Sequence, residues 1–336
     1  MDRQVVKECL GYAALAGAVV VAGFTSHASI SDVHERGTVS AITPAAEQRE
    51  AVVLLAGDTM LSRAVGDAMV ARNDWTWPFA RIASVTREAD LMFVNLETPV
   101  SAHGTVGGCA YCFRTDPSAV EGLLYAGVDI VTLANNHTFD YGEIALTDTL
   151  GHLASAGIAV TGAGHDRTEA VAPVVRTVGT TRVAFLSYTN LLPAASAAGP
   201  NRPGIAVYDE TSAMHDIAAA RLDADVVIVS FHAGDEYQTE PNDWQRRVFR
   251  SLIDAGADMV VGHHPHVIQP VESYGSGWIA YSLGNFVFDQ TFSEETMQGL
   301  MLRVSVAAGR IIGVEELPIL ISRSFQPAIA ETAVTR

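Results

Sequence analysis

The sequence predicts an α/β fold whose chemistry gathers at strand ends. Short apolar runs such as AVVLLA (51–56), LMFVNL (91–96) and DVVIVS (225–230) alternate with amphipathic stretches, the pattern of sheets covered by helices. Several of these runs stop at a carboxylate, an amide or a histidine, and open α/β sheets carry their sites just beyond the carboxyl ends of strands. Composition is the third observation: 336 residues, 49% apolar and 18% charged, leave ample material for a buried core.

Charge narrows the partners. With 38 acidic against 21 basic residues the formal net charge is −17, which argues against nucleic acid, or an anionic membrane surface, met through a broad basic patch. An anionic small molecule or polymer would have to be drawn in locally, by a metal or a few arginines. Three cysteines, Cys9, Cys109 and Cys112, are too few for a disulfide framework.

Residues 10–24 (LGYAALAGAVVVAGF) form an apolar run that is short for a membrane span, which needs about 20 residues, and suits the core of a secretory signal. Arg3 and Lys7 precede it, Asp2 and Glu8 cancel their charge, and Ser26 to Ala28 are small or compact enough for signal cleavage. Residues 1–28 are therefore expected to be a signal peptide or membrane anchor, giving an extracytoplasmic or membrane-anchored protein. The alternative is a cytoplasmic chain whose first helix packs on the domain. Residues 29–49 read as a linker, 50–322 as the domain and 323–336 as a frayed tail.

Within the domain, strand 51–56 ends at Gly57 and Asp58, where Asp58 could also cap a helix over 60–72. Strand 91–96 ends at Asn95, Leu96 and Glu97, and Pro99 discourages a helix there. A glycine-rich loop, 101–111, leads to the Cys109–Cys112 pair, which lacks the second pair or histidines of a zinc site and reads as a disulfide or two ordinary thiols. A helix over 117–126 precedes strand 128–134, which stops at Asn135, Asn136 and His137. Here Asn136 offers a metal its carbonyl oxygen, His137 can exchange a proton near neutral pH, and Asp140 can fix the ring's tautomer. The bland reading of this segment is a turn.

A helix over 142–156 and strands at 158–160 and 182–187 follow, then a long Pro-, Ala- and Gly-rich loop, 191–204. Helix 213–222 leads to strand 225–230 and to His232, with Glu236 and Tyr237 close behind. Helix 242–255 leads to strand 258–261 and the cluster His263, His264 and His266. At alternate positions of an extended backbone His264 and His266 would point the same way. A strand over 278–283 closes on Gly284 and Asn285, and 300–306 and 310–317 alternate like antiparallel strands. Asp58, Glu97, Asn136, His232, His264 and His266 form a mixed N/O set suited to one or two divalent ions such as Mn, Zn or Fe, with Glu97 placed to bridge a pair.

The segments GDTM (57–60), NLE (95–97), NNHTFDYG (135–142), HAGDEY (232–237), GHHPHVIQ (262–269) and SLGNFVFDQ (282–290) resemble, in order, those of the CapA-type poly-γ-glutamate capsule-synthesis family, within the calcineurin-like metallophosphatase superfamily. The resemblance spans about 51–320. It implies a four-layer α/β/β/α sandwich, the six metal ligands above, and His137 as proton donor to a leaving group, oriented by Asp140 as in the similar segment of 5′-nucleotidases. Asn95, Arg114, Tyr237 and the loop 191–204 are candidates to line a substrate pocket. Two departures stand out: Met60 occupies the position where many phosphatases have a metal-binding histidine, and Glu97 stands where Asp is usual. Three functions fit: a metal-dependent phosphoester hydrolase linked to capsule synthesis; a binding or accessory component of anionic polymer assembly and export, in a membrane-associated capsule-synthesis complex; and a non-hydrolytic acid/base enzyme such as a peptide epimerase.

Overall fold

The computed structural model describes residues 50–330, so the expected signal or anchor (1–28) and the expected linker (29–49) lie outside the described residues. Among the described residues no helix is long and apolar enough to cross a membrane.

Two mixed sheets face each other. The first runs, in spatial order, Pro327–Ile329, Arg310–Ile321, Gln298–Ala307, Ala51–Thr59, Leu91–Leu96, Ile130–Thr132 and Ala159–Thr161, with Asn285–Val287 also pairing with Ala51–Thr59. The second runs Val271–Tyr274, Gly277–Ala280, Met259–His263, Val226–His232, Thr181–Thr189 and Val174–Val178. In the first, the pairings from Ala51–Thr59 to Ala159–Thr161 are parallel and those from Pro327–Ile329 to Ala51–Thr59 antiparallel; in the second, the central pairings are parallel and the two edge pairings antiparallel.

Strand alternation sorts the core into layers. Val53 and Leu55 face inward and pack with Phe185, Ile228 and Val261 of the opposite sheet. Their neighbours Val52, Leu54 and Ala56 face outward, onto Val65 and Met69 of helix Arg63–Arg72 and Leu146, Leu150 and Leu153 of helix Gly142–Ser155. On the other side Leu186, Val227 and Val229 pack under Ile217 of helix Glu210–Asp223 and Phe249 and Leu252 of helix Asp243–Asp254. Helix, sheet, sheet, helix: this is the four-layer sandwich that the resemblance implies.

Among the elements that depart from the expectations, three are informative. Val174–Val178 is a strand that the sequence reading lacks; it is half exposed at a sheet edge, so it never shows a continuous apolar run. Ile130–Thr132 is shorter than 128–134: Leu133 still gives its N–H to Thr161, but its carbonyl accepts from Asn135 as the chain turns away. The segment read as a frayed tail supplies the edge strand Pro327–Ile329, paired antiparallel with Arg310–Ile321.

Candidate metal centre

The carboxyl ends of the parallel strands converge. Asp58 is the penultimate residue of Ala51–Thr59, Glu97 follows Leu91–Leu96, and Asn136 lies just past Ile130–Thr132. From the second sheet, His232 ends Val226–His232 and His263 ends Met259–His263. Two glycines let the chain close here. A Cβ at Gly57 would meet the Gly284 carbonyl oxygen at 2.0 Å, and one at Gly262 would meet that of Tyr281 at 1.9 Å.

His264 and His266 do not follow the extended alternation expected of them. Both have left-handed backbones, with φ of 100° and 58°, a conformation that costs of order 1–3 kcal/mol and concentrates at functional sites. Those turns, rather than a strand, bring the two rings to the centre.

Asp58 is fully buried and held from several directions. It accepts from the Asn95 amide at 2.8 Å and from the backbone N–H of His264 at 3.1 Å, while His266 Nδ1 lies 3.2 Å and His263 Nδ1 3.4 Å away. Burial pushes its carboxyl up, but hydrogen bonds and charge from His263 and His266 outweigh that and hold it well below the usual range. Asn95 also accepts from Asn135 Nδ2 at 3.1 Å and places its amide nitrogen 3.2 Å from His232 Nδ1. It is fully buried and does not line the cavity, so the substrate role expected of it gives way to one of orienting Asp58 and His232.

Glu97 is the opposite case. Both of its oxygens are buried without any hydrogen-bond partner, and burial followed by the charges of Asp58, Glu236 and Asp140 pushes its carboxyl well up. Burying a carboxylate without compensation is among the costliest things a fold can do. The neighbours explain what compensates it. Ligand atoms of Asp58, Glu97 and His266 lie within 4.8 Å of one another, as do those of Glu97, His232 and His264. Glu97 is common to both sets, as a bridge between two ions would be. Burial and nearby imidazoles hold His232 well down and His264 at about 3, so both rings are neutral and have a lone pair to give. His264 Nδ1 is itself buried without a partner. The donor set fits one or two borderline divalent ions.

Asn136 Oδ1 lies 2.7 Å from His232 Nε2, on the edge of the second set. Beside it, His137 Nδ1 is 2.7 Å from Asp140 Oδ2, and its Nε2 is 3.7 Å from Glu97 Oε1. Phe113 stacks on the His137 ring at 3.9 Å between centroids and donates its backbone N–H to the same Asp140 oxygen at 2.7 Å.

These groups open into a cavity of about 450 Å³ lined by, among others, Arg63, Phe113, His137, Glu236, Tyr237 and His266. Tyr237 lines it as expected, its phenol pushed up to about 12 by partial burial and then by Glu236. Arg114 does not: its guanidinium lies over the Tyr141 ring at 4.1 Å and donates to the His103 carbonyl at 3.0 Å. The arginine at the cavity is Arg63, paired with Asp289. The loop 191–204 also lies elsewhere; its Ala197 and Ala198 border a separate cavity with Arg167, Tyr188 and Asp216. The Cys109–Cys112 pair forms a disulfide, and Cys109 sits on the cavity's rim.

Glu236, Arg63 and Phe113 had no role in the sequence reading, nor had Asn285, whose Oδ1 is 3.0 Å from His266 Nδ1. For Asn285 the signal was present, an amide just past an apolar strand. For Arg63 none was.

The fold is thus a four-layer sandwich that gathers buried carboxylates and histidines at its strand ends. Residues 52–290 match the family described as "Bacterial capsule synthesis protein PGA_cap", and the chain belongs to it. It is similar to the PGA biosynthesis protein CapA of Bacillus subtilis, 35% identical over 237 residues, which cover 70% of this chain and 62% of the relative. It is also similar to the probable polyglutamine synthesis accessory protein Rv0574c of Mycobacterium tuberculosis, 32% identical over 291 residues, covering 80% and 76%. The chain thus spans about three-fifths of the Bacillus relative it matches. Among solved structures, a hypothetical protein from Thermus thermophilus shares the fold with a TM-score of 0.50 at 15% identity, covering 80% of this chain and 98% of that one.

Proposed function

We propose that the centre is a divalent-metal-dependent, phosphoester-hydrolase-type site that serves the synthesis of an anionic capsule polymer of the poly-γ-glutamate kind. The observation that carries this reading is Glu97, buried with both oxygens unpartnered and common to two candidate ligand sets. Asp58 and His266 would hold one ion with it, and Asn136, His232 and His264 the other. Such ions neutralise phosphoryl oxygens and make an attacking water more acidic.

The chain's own residues then divide the remaining work. Asp140 accepts a hydrogen bond from the Nδ1–H of His137, which leaves Nε2 turned toward Glu97 and the cavity. Protonated there, His137 gives its proton to the leaving-group oxygen as the phosphorus–oxygen bond breaks. Phe113 keeps the ring in place and water off one of its faces. Arg63 and Tyr237 meet the anionic substrate at the cavity wall. In this reading residues 1–28 export or anchor the domain, and the Cys109–Cys112 disulfide supports an extracytoplasmic site, where such bonds persist.

One observation favours a second reading. Asp140, Glu236 and Asp289 outnumber Arg63 on the cavity wall, so the metals supply most of the attraction for an anion. They could hold polymer carboxylates without turnover, as an accessory protein would. The test is metal-loaded protein against phosphomonoesters and phosphodiesters, beside His137→Asn. Turnover that falls by about 10²–10⁴ in the variant while its metal content is unchanged supports the hydrolase. Absence of turnover in the metal-loaded parent, with poly-γ-glutamate bound, supports the accessory reading instead.

A further inference from the structure

The set Asp58, Glu97 and His266 offers three ligands, and the fourth that the superfamily places two residues after Asp58 is missing, because Met60 is a buried thioether. Thioethers suit soft ions, not the borderline divalent ions that carboxylates and imidazoles select. We infer that Glu236 is a further metal ligand, holding an ion together with His264 and His266 from the solvent face. This rests on the metal-centre reading proposed above.

Three observations carry it. Ligand atoms of Glu236, His264 and His266 lie within 4.8 Å of one another, so this carboxylate already stands at ligand spacing from both rings. The Nδ1 atom of His264 is buried without a partner. The loop bearing Glu236 is also clamped on both sides of it. Asp235 accepts from Asn242 at 2.8 Å, beside the capping box that opens helix Asp243–Asp254. Tyr237 donates its backbone N–H to Pro265, the residue between the two histidines, at 2.8 Å, and the Gln238 carbonyl accepts from Gln269 at 2.8 Å. Tyr237 has a left-handed backbone, φ 63°, like His264 and His266. Three strained residues and two cross-loop hydrogen bonds thus fix Glu236 over the histidine pair. An exposed carboxylate with no task needs none of this.

The test is calorimetric titration of the metal-stripped full chain with Mn²⁺, comparing the parent with Glu236→Gln, Glu97→Gln and Asp235→Asn. The last removes the same charge one residue away and keeps an oxygen to accept from Asn242. Loss of a partner that merely orients a ligand weakens metals by about 10–100-fold, so Glu236→Gln is expected to weaken one of the sites by at least about ten-fold, with Asp235→Asn close to the parent. The Co²⁺-loaded form reports coordination directly, and its visible spectrum should shift in Glu236→Gln alone of the two loop variants. If Glu236→Gln binds like the parent while Glu97→Gln loses metal, Glu236 is not a ligand and the metal centre stands. Equal weakening by Asp235→Asn, with an unshifted Co²⁺ spectrum in Glu236→Gln, assigns the effect to charge and also overturns the inference. A parent that binds no Mn²⁺ overturns both it and the reading beneath it.

Discussion

The floor and the rim of the cavity are built by opposite means. On the floor Asp58, Glu97, His232, His264 and His266 are all 7% exposed or less and sit at or just past strand ends of both sheets, with Asp58 and His232 tied together through Asn95 and His266 held by Asn285. On the rim Tyr111 is 71% and Phe292 65% exposed, and both stand on loops. A buried polar network fails when one member is removed, because its partners stay buried and unpaired. A rim side chain that reaches into solvent leaves nothing behind. The floor should therefore govern whether the site works at all, and the rim only what it prefers.

The largest effect is expected at Glu97. Its replacement by Gln should lower metal affinity by more than about 100-fold, beyond what outer partners cost, as calorimetry would read it. The same change should stabilise the metal-stripped protein, and the sign follows from the raised carboxyl. Unfolded, Glu97 loses its proton near its ordinary value of 4.5, whereas the folded group keeps it to higher pH. Folding then binds the extra proton, so stability falls as pH rises above 4.5. Glu97→Gln should remove that decline and raise the metal-free melting temperature by about 2 °C or more at neutral pH. A melting temperature lowered by the change would mean that Glu97 has a partner in the metal-free state.

Asn95→Ala comes next. It frees an oxygen of Asp58 and a donor of Asn135 in the buried floor, at a cost of about 1–3 kcal/mol, and should weaken metal by about 10-fold or more. Unchanged metal binding in a folded Asn95→Ala protein would remove Asn95 from the network. Arg63→Gln should raise KM for an anionic substrate with metal content unchanged. If it strips metal instead, the division between floor and rim fails. The smallest effect belongs to Tyr111→Ala, expected within about 0.5 kcal/mol of the parent in stability, as for exposed sites generally, and readable by denaturant titration.

The same division explains what could be read from the sequence. Apolar runs betray strands, and a polar residue that interrupts such a run betrays the strand's end, so Asp58, Glu97, Asn136 and His232 were legible, as was the His263–His266 cluster. The way the loops fold back was not. His264 and His266 converge through positive φ angles, and the backbone hydrogen bond from Tyr237 to Pro265 joins loops from two different strands. No local pattern encodes such a bond. Arg63 and Arg114 show the limit well: both are arginines near motif segments, and only long-range contacts, with Asp289 for one and Tyr141 for the other, decide which faces the cavity.

The central claim is a metal centre organised by Glu97, and metal content per chain tests it most directly. Protein purified without chelator, assayed by elemental analysis beside Glu97→Gln, should hold about two ions in the parent and less than about one in the variant, as a bridging ligand requires. Equal metal in the two proteins, or a parent that takes up none when Mn or Zn is added, would contradict the account.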